Sequence, residues 1–476
     1  MKCPQGYIYM STLRLTLKKQ KAAPKLRLKK TPAPAAAGVG FLTEAQFLEH
    51  FKPVPQVTRG QLASRLTVMY SIPQTLEQLF NLVPPTAKRT PIIKDATTDK
   101  RYLNREQYLD YLYDVLIVNR FKYLALFYQA YFQFKDPRDL KWTDPSLELS
   151  KPELAHPVIS VQKNDASRRL IRNLFYLELL DLTKVTNTVK SKVSFWQSLV
   201  NLFNKLELED RFFAPSSVML CLRNKNTKRE QVSGVRETNY NNLFYQFQAY
   251  QPKASIFNPY AIKWTLEHVL GKELGRSPAK IFTPVLSWCS YLVAFMHIPS
   301  YQHYVGVDVM PTACAKARYL ADYYHTLDQQ QFGSKQVDIL CRPSETLSQH
   351  SNFLTRYHQY FDTMIVCPPY YDMEIYHEGE QSIATYPDYQ QWLKGYWEPT
   401  VSVCQQVAQP GAILAVIAND YTTLDTKHTY ALTTDLDQLT RQYFEPIGVY
   451  YLQNRTSPLR AAGKDRTERL FLYRKS

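Results

Sequence analysis

From about residue 255 to the end of the sequence, short apolar segments alternate with segments that have helical periodicity. Strands that alternate with helices are typical of a parallel sheet, because each crossover helix returns the chain to the same edge. We therefore predict an α/β fold for this part of the chain. In such sheets, ligands bind at the carboxyl ends of the strands. The segments that would supply those ends are 280–295, 304–311, 337–346, 361–376 and 409–418.

The rest of the sequence divides into two parts of different composition. Residues 1–40 contain many lysines, a Pro/Ala-rich stretch and no acidic residue, which predicts a flexible basic arm. Residues 41–250 are predicted to form a mostly helical accessory domain, and 251–476 the α/β domain. Aromatic residues are dense over 101–135, at spacings near three and four. This pattern fits either an aromatic helical core or a surface on which nucleic-acid bases stack.

The charge balance indicates a polyanionic partner. The chain carries 58 Lys and Arg against 42 Asp and Glu, a net charge of +16. Residues 1–100 hold 16 of these basic residues against 5 acidic ones, so most of the excess lies in the first fifth of the chain. A basic excess of this size favours nucleic acid as the partner, with DNA expected before RNA. Protein partners of the helical domain are a second expectation.

Cysteine usage and hydropathy limit the compartment. The seven cysteines include no Cys-x-x-Cys pair, a pattern of reduced thiols with neither a disulfide framework nor a metal site. No apolar run approaches the length of a membrane span. We therefore expect an intracellular protein that is cytoplasmic, nuclear or virus-associated, and neither secreted nor bound to a membrane.

The segment 361–376 contains the most distinctive group of residues. Its apolar part, 364–366, predicts a short buried strand, and Cys367-Pro368-Pro369-Tyr370 follows directly. Proline supplies no N–H to a sheet and fixes its own φ, so the strand must end in a rigid loop. An aromatic ring then stands at the carboxyl end of the strand.

This loop resembles the Asp/Asn/Ser-Pro-Pro-aromatic motif of the amino-methyltransferases, which methylate N6 of adenine or N4 of cytosine. The resemblance covers about 255–476 and is nearest to predicted DNA methylases of phages and large DNA viruses. It implies a Rossmann-like methyltransferase domain with a terminal antiparallel hairpin, and S-adenosylmethionine as cofactor. It also implies that Tyr370 stacks on an extruded base and that the Pro368 carbonyl accepts from the amine. Cys367 occupies the position of the usual acceptor, and a thiol is a weak acceptor.

The segment 280–295 resembles the family's cofactor loop. The family has an acidic residue and a glycine-rich turn there, because the backbone must approach the ligand closely with φ > 0. In this sequence Thr283 replaces the acidic residue, and Ser287 and Cys289 stand where glycines are usual. The resemblance nevertheless assigns these three positions to the cofactor site.

Three further positions resemble the cofactor site of that family. Asp308 ends the second predicted strand, where an acidic side chain can accept both ribose hydroxyls of an adenosyl group. Phe257 precedes a helix start and matches a residue of the wall around the methionine end of the cofactor. Ser344 or Glu345, after the third strand, matches a residue that contacts adenine.

Three interpretations of function remain open at this stage. The first is an active amino-methyltransferase of a nucleic-acid base. The second is a methyltransferase fold that has lost catalysis and serves as a nucleic-acid-binding or assembly subunit, which the residues at 283, 287, 289 and 367 favour. The third makes Cys367 a covalent nucleophile, as in cytosine-C5 methyltransferases, although those enzymes place the proline before the cysteine.

Overall fold

The computed structural model describes most of the chain from Val39 onward. Its residues from Val39 to Ser476 form one compact unit. The basic arm predicted for 1–40 lies outside the described residues except for its last two. The boundary predicted at residue 250 also falls outside them, so the division into domains stays a prediction. The described residues are 39–70, 112–140, 142, 146–148, 157–161, 166–181, 194–207, 254–328, 330–373, 376, 378–422, 428–454 and 468–476.

The described strands form one large sheet and a small hairpin. The sheet has the order β1-β2-β10-β11-β7-β6-β3-β4-β5, and β8 pairs with β9. The strands are β1 (Ser146–Glu148), β2 (Val158–Val161), β3 (Lys280–Thr283), β4 (His303–Asp308), β5 (Gln336–Cys341), β6 (Phe361–Val366), β7 (Ala408–Ala418), β8 (Tyr421–Thr422), β9 (Thr429–Tyr430), β10 (Glu445–Asn454) and β11 (Glu468–Arg474).

The directions of the strands confirm the predicted fold class. Strands β3 to β7 are parallel where they pair, while β11 runs antiparallel to both β7 and β10. This is a parallel Rossmann-like sheet with a terminal antiparallel hairpin. Since β4, β3 and β6 are neighbours and parallel, their carboxyl ends meet at one edge.

Helices cover the sheet and build the N-terminal region. The α-helices are α1 (Glu44–Glu49), α2 (Arg59–Tyr70), α3 (Arg120–Tyr131), α4 (Ala166–Leu174), α5 (Tyr176–Leu180), α6 (Phe195–Lys205), α7 (Pro259–Trp264), α8 (Gly271–Leu274), α9 (Ser290–Met296), α10 (Pro311–Leu327), α11 (Ser351–Tyr357), α12 (Ser382–Thr385), α13 (Tyr389–Trp392), α14 (Glu398–Val407) and α15 (Leu432–Thr440). Three π-helical turns adjoin them, at Asp114–Val118, Thr265–Leu270 and Leu393–Trp397.

Alternation along the strands gives the sheet two buried faces. In β6, Ile365 packs into the core with α9 and α10, whereas Met364 and Val366 pack into the core with α14 and α15. Successive side chains of a strand point to opposite faces, so a strand that is apolar throughout must be covered on both sides. All six residues of β6 are buried.

The described N-terminal region is mostly helical and has its own core. Tyr123, Phe127, Tyr128 and Phe132 are buried there, which confirms the interpretation of this part of the aromatic stretch as a helical core. The buried amide of Asn173 donates to the carbonyls of Leu42 (2.8 Å) and Phe132 (2.6 Å). These bonds satisfy main-chain groups that water cannot reach.

Two features of the N-terminal region join it to the sheet. Strand β2 pairs in parallel with β10 and thereby lengthens the sheet, which the sequence did not predict. The Lys316 ammonium of α10 donates to both carboxylate oxygens of Glu178 on α5, at 2.7 and 2.8 Å. This ion pair is almost entirely buried.

Candidate active site

The predicted site residues of three neighbouring strands meet at one edge of the sheet. Thr283 ends β3 and leads into the turn 287–289, Asp308 ends β4, and Cys367 follows β6. The parallel pairing of β4, β3 and β6 brings these three positions together. The structure therefore assembles the predicted cofactor loop, the predicted ribose acceptor and the Cys-Pro-Pro-Tyr loop at the place where α/β sheets bind ligands.

The turn after β3 has the backbone conformation of a glycine-rich loop without any glycine. Ser287, Trp288 and Cys289 have φ of 46°, 53° and 64°. Left-handed conformations cost residues with a Cβ about 1–2 kcal/mol each. Such strain persists only where the surrounding structure enforces it, and it is concentrated at ligand clamps and active sites. The turn predicted to hold the cofactor thus has three successive residues in the left-handed region, and its role stays a prediction.

Thr283 is fully buried, and its hydroxyl already makes a hydrogen bond within the protein. It donates to the Tyr304 hydroxyl at 2.8 Å. The Tyr304 ring lies against Gly306, where a Cβ would come within 2.6 Å of both that ring and Leu286. At the end of β3, the predicted cofactor position therefore holds a neutral hydroxyl pair instead of a carboxylate.

Asp308 links the end of β4 to the turn after β3. Its Oδ1 accepts from the Met310 N–H at 3.0 Å. Burial raises the pKa of Asp308 to about 6, against the opposing effect of main-chain N–H groups that include those of Val309 and Leu286. Asp308 is half-buried, so it remains partly accessible at this edge of the sheet.

A segment that we call the strap, Tyr376 and residues 378–381, crosses this edge. The Tyr376 ring contacts the Trp288 ring edge-on at 5.4 Å. The Glu378 carboxylate accepts from the N–H (2.9 Å) and hydroxyl (2.6 Å) of Thr312, in the first turn of α10. Gly379 has φ of 76° and is so close to Val309 that a Cβ would lie 2.1 Å from its carbonyl oxygen. The strap therefore contacts Trp288 in the turn after β3, and Val309 and Thr312 just after Asp308.

The Cys-Pro-Pro-Tyr loop contains one carbonyl without a donor and one stacked ring. Pro368 is buried, and no donor among the described residues bonds to its carbonyl oxygen. The Tyr370 ring is nearly parallel to that of Tyr421, at 24° and 6.1 Å between centroids. Pro369 accepts from the Tyr371 N–H at 3.0 Å, which holds the loop in a tight turn.

The Tyr370 hydroxyl points into a confined region beside Cys367. Burial raises the pKa of Tyr370 well above its usual range, and the Cys367 thiol and Glu468 carboxylate add to this effect. Burial also raises the pKa of Glu468 to about 6, although the Arg168 guanidinium opposes the rise. Helix α4 thus contributes a cation close to the candidate active site.

Several aromatic residues near Tyr370 were not predicted from the sequence. Tyr421 donates to Asp372 Oδ1 at 3.0 Å, and the Tyr371 hydroxyl donates to the Pro387 carbonyl. Tyr421 and Tyr430 come from the β8–β9 hairpin, which is too short to have a periodic signal. In the sequence, the hairpin is indicated only by the run of polar and aromatic residues that directly follows β7.

The structure places the remaining predicted residues less centrally. The Phe257 carbonyl accepts from the Ser290 hydroxyl at 3.1 Å, which fixes the start of α9 beside the cofactor turn. Ser344 is buried and its hydroxyl lies 3.3 Å from that of Thr400. Burial raises the pKa of the neighbouring Glu345 to about 7.

Two features of other protein classes are missing from the described residues. These residues contain no group of three or more His, Cys, Asp or Glu side chains arranged to hold a metal ion. Within the same residues, no helix combines the length and the apolar character needed to cross a bilayer.

Comparison with known proteins gives structural matches only. No protein-family model and no curated protein matches the sequence. TrmN from Thermus thermophilus matches at 11% identity and a TM-score of 0.31, over 47% of this chain and 50% of that one. This chain thus spans half of TrmN.

Two further matches have similar values. The N-methyltransferase NodS from Bradyrhizobium japonicum, in complex with S-adenosylhomocysteine, matches at 12% identity and a TM-score of 0.27, over 46% of this chain and 88% of that one. The Burkholderia thailandensis 1,6-didemethyltoxoflavin-N1-methyltransferase matches at 13% and 0.27, over 45% and 79% of the two chains.

Proposed function

We propose that this chain is an S-adenosylmethionine-dependent methyltransferase that acts on an exocyclic amine of a nucleic-acid base, adenine N6 or cytosine N4. One observation carries the proposal. The left-handed turn 287–289, Asp308 and the Cys-Pro-Pro-Tyr loop lie at the carboxyl ends of three adjacent parallel strands. DNA is the expected substrate before RNA.

The residues at this edge fit the cofactor in two respects. The turn 287–289 has the φ values of a backbone that approaches a ligand closely. Asp308 would accept hydrogen bonds from ribose hydroxyls, as acidic residues at the end of a second strand do in nucleotide-binding sheets. When bound, S-adenosylmethionine would supply a methyl group on a sulfonium. Thr283 contributes no charge, because its hydroxyl is bonded to Tyr304.

The Cys-Pro-Pro-Tyr loop would hold the base and its amine. Tyr370 would stack on the base, and stacking of this kind contributes about 1–3 kcal/mol per base. The carbonyl of Pro368, which has no donor among the described residues, would accept from the amine and orient its lone pair. Positioning of this kind can supply much of the rate, and the amine can lose its proton after attack, so no strong base is required.

Basic side chains beside the site support a polyanionic substrate. Arg168 and Arg172 line a cavity of about 200 Å³ together with 254–256, the segment that leads to Phe257. The two arginines are one helical turn apart on α4. Phosphate contacts from such residues would give affinity without sequence preference.

A second candidate function is a nucleic-acid-binding subunit that has lost catalysis. The bonded pair Thr283–Tyr304 favours it, because it replaces a carboxylate that could bind the cofactor. The weak acceptor at Cys367 favours it too. Fold alone does not establish activity.

Transfer of a labelled methyl group to mixed DNA and RNA tests the proposal. Tyr370→Ala should lower transfer by about 1–3 kcal/mol, roughly 5- to 150-fold, while cofactor affinity is unchanged. Tyr370→Phe is the matched control, because it keeps the stacking ring and should retain most of the activity. No transfer by the wild-type protein, or equal transfer by Tyr370→Ala, would contradict the proposal.

A further inference from the structure

A second pocket lies in the helical region, where α3 begins. It is an open surface pocket of about 300 Å³, lined by Pro53, Val54 and residues 117–122. The residues 119–122 are the N-cap and first turn of α3. The free N–H groups of a helix start and its positive dipole end make such a position favourable for anions.

The start of α3 has no acceptor of its own. Asn119, at the N-cap, makes no capping hydrogen bond from its side chain, which donates to Asp114 instead. The first turn contains no acidic residue, yet Arg120 and Lys122 stand in it. Cations in a first turn oppose the helix dipole. The carboxylate beside this helix start, that of Asp114, is bonded to the Asn119 and Tyr123 side chains and not to the first-turn N–H groups.

Arg120 supplies an independent observation. The residue is 4% exposed, and its guanidinium lies over the Phe121 ring, 5.1 Å from the centroid. Its Nε and Nη1 have no hydrogen-bond partner among the described residues. Its Nη2 makes only a long bond, 3.4 Å, to Asn204 Oδ1. Asn204 Oδ1 also accepts from the Lys52 N–H at 2.8 Å.

No carboxylate compensates this buried guanidinium. Burial lowers the pKa of Arg120 to about 10, and no neighbouring charge acts on it. Asp114, on the preceding turn, is bonded to Asn119 and to the Tyr123 hydroxyl (2.7 Å). Buried charges in proteins are normally paired, because an unpaired one loses its hydration without compensation.

The rim of the pocket is apolar. Val118 is 60% exposed and Phe121 39% exposed. Both line the pocket, together with Pro53 and Val54. Only one other large apolar side chain in the described part of the chain, Val39, is comparably exposed. A ligand here would have an anionic group near Arg120 and an organic part against this rim.

We propose that this pocket binds a phosphate ester, with the phosphoryl group at Arg120 and the start of α3 and its organic substituent against Val118 and Phe121. Guanidinium groups and helix starts both suit phosphate oxygens. The phosphate could belong to a free nucleotide or to a nucleic-acid strand. The proposal does not depend on methyl transfer.

Calorimetry and thermal unfolding of the full chain test this site. The probes are inorganic phosphate, adenosine 5′-monophosphate and a short single-stranded oligodeoxynucleotide, at constant ionic strength. Each should bind the wild-type protein and raise its Tm. Arg120→Met should weaken binding of the first two at least tenfold and abolish their effect on Tm. Without ligand, this variant should be at least as stable as the wild type, because a buried unpaired charge is removed.

Arg138→Met is the matched control. Arg138 is an exposed arginine of the same region, paired with Asp136, so the change in net charge is the same. It should leave phosphate binding unchanged. Equal affinities of Arg120→Met and wild type for phosphate and for the nucleotide would overturn the proposal. A larger loss of affinity for the oligonucleotide than for the nucleotide in Arg120→Met would identify a strand phosphate as the source, and the reverse a free nucleotide.

A second variant covers the case in which Arg120→Met does not fold. Lys122 is exposed in the same turn, so Lys122→Glu should fold. It should weaken phosphate binding by placing a negative charge at the mouth of the pocket. Unchanged affinity in that variant would also overturn the proposal.

Discussion

Ser287, Trp288 and Cys289 take left-handed backbone conformations in succession, although none of them is glycine. The sequence shows that this turn contains no glycine, but it does not show whether its backbone adopts left-handed conformations. Neighbouring residues decide this, because Cys289 and Leu286 are fully buried and anchor the turn. The strain at Ser287, which is half-buried, should be measurable.

Replacing Ser287 by glycine should therefore stabilise the protein. The expected gain in the free energy of unfolding is about 1 kcal/mol, because glycine adopts a positive φ without cost. Ser351→Gly is the control, since Ser351 is an exposed first residue of α11 without a positive φ, and glycine there should lower stability. Urea denaturation measures both. A loss of stability in Ser287→Gly would contradict the assignment of strain.

The raised pKa of Asp308 predicts a pH dependence. Its folded-state value, about 6, exceeds the ordinary 3.8, so the folded protein holds this proton more tightly than the unfolded chain. The contribution of Asp308 to the free energy of unfolding therefore falls as the pH rises from 3.8 to about 6. Relative to the wild type, the free energy of unfolding of Asp308→Asn should increase by up to about 3 kcal/mol from pH 4 to pH 7. Urea denaturation at both pH values tests this, and a constant difference would contradict it.

The strap is the element whose position departs most from what the sequence indicated. Its residues form no helix or strand over 378–381, so no periodicity in the sequence predicted that they would lie against β4 and α10. Gly379 fixes the close approach, because only a residue without a Cβ fits beside Val309.

Gly379→Ala should displace the strap. The variant is expected to lose the Glu378–Thr312 bonds, to exchange the Thr312 amide hydrogen faster and to bind cofactor more weakly. Gly411→Ala is the control, because Gly411 has nearly the same φ, 77°, with nothing within 4 Å of the added Cβ. Hydrogen exchange compares the two. Equal protection of Thr312 in both variants would show that the close approach does not hold the strap.

The elements that the sequence predicted well are those with a strong local signal. The strands β3, β4, β5, β6 and β7 are short apolar segments bounded by turn residues, and their order follows from the chain. Strands β1 and β2 have three and four residues, and β2 pairs with β10, far along the chain. Similarly, Ser344 bonds to Thr400, 56 residues away. Such contacts depend on tertiary packing, which a local pattern does not contain.

For the whole molecule, the Lys316–Glu178 ion pair predicts that the helical region and the sheet unfold together. Lys316→Met should lower the free energy of unfolding by about 3–5 kcal/mol, because Glu178 would remain buried without its partner. Adding Glu178→Leu should restore most of the loss. Lys394→Met breaks a pair whose lysine is 63% exposed and should cost about 1 kcal/mol or less. Chemical denaturation distinguishes these cases, and a small effect of Lys316→Met would contradict the joint unfolding of the two regions.

The most direct test of the central claim is calorimetric titration of the full chain with S-adenosylmethionine at pH 7. We expect one site per chain with micromolar affinity, at least tenfold weaker in Asp308→Asn because the amide offers the two ribose hydroxyls one acceptor oxygen in place of the carboxylate's two. Absence of binding to the wild-type protein, while nucleic acid still binds, would contradict methyl transfer and leave a nucleic-acid-binding protein built on this fold.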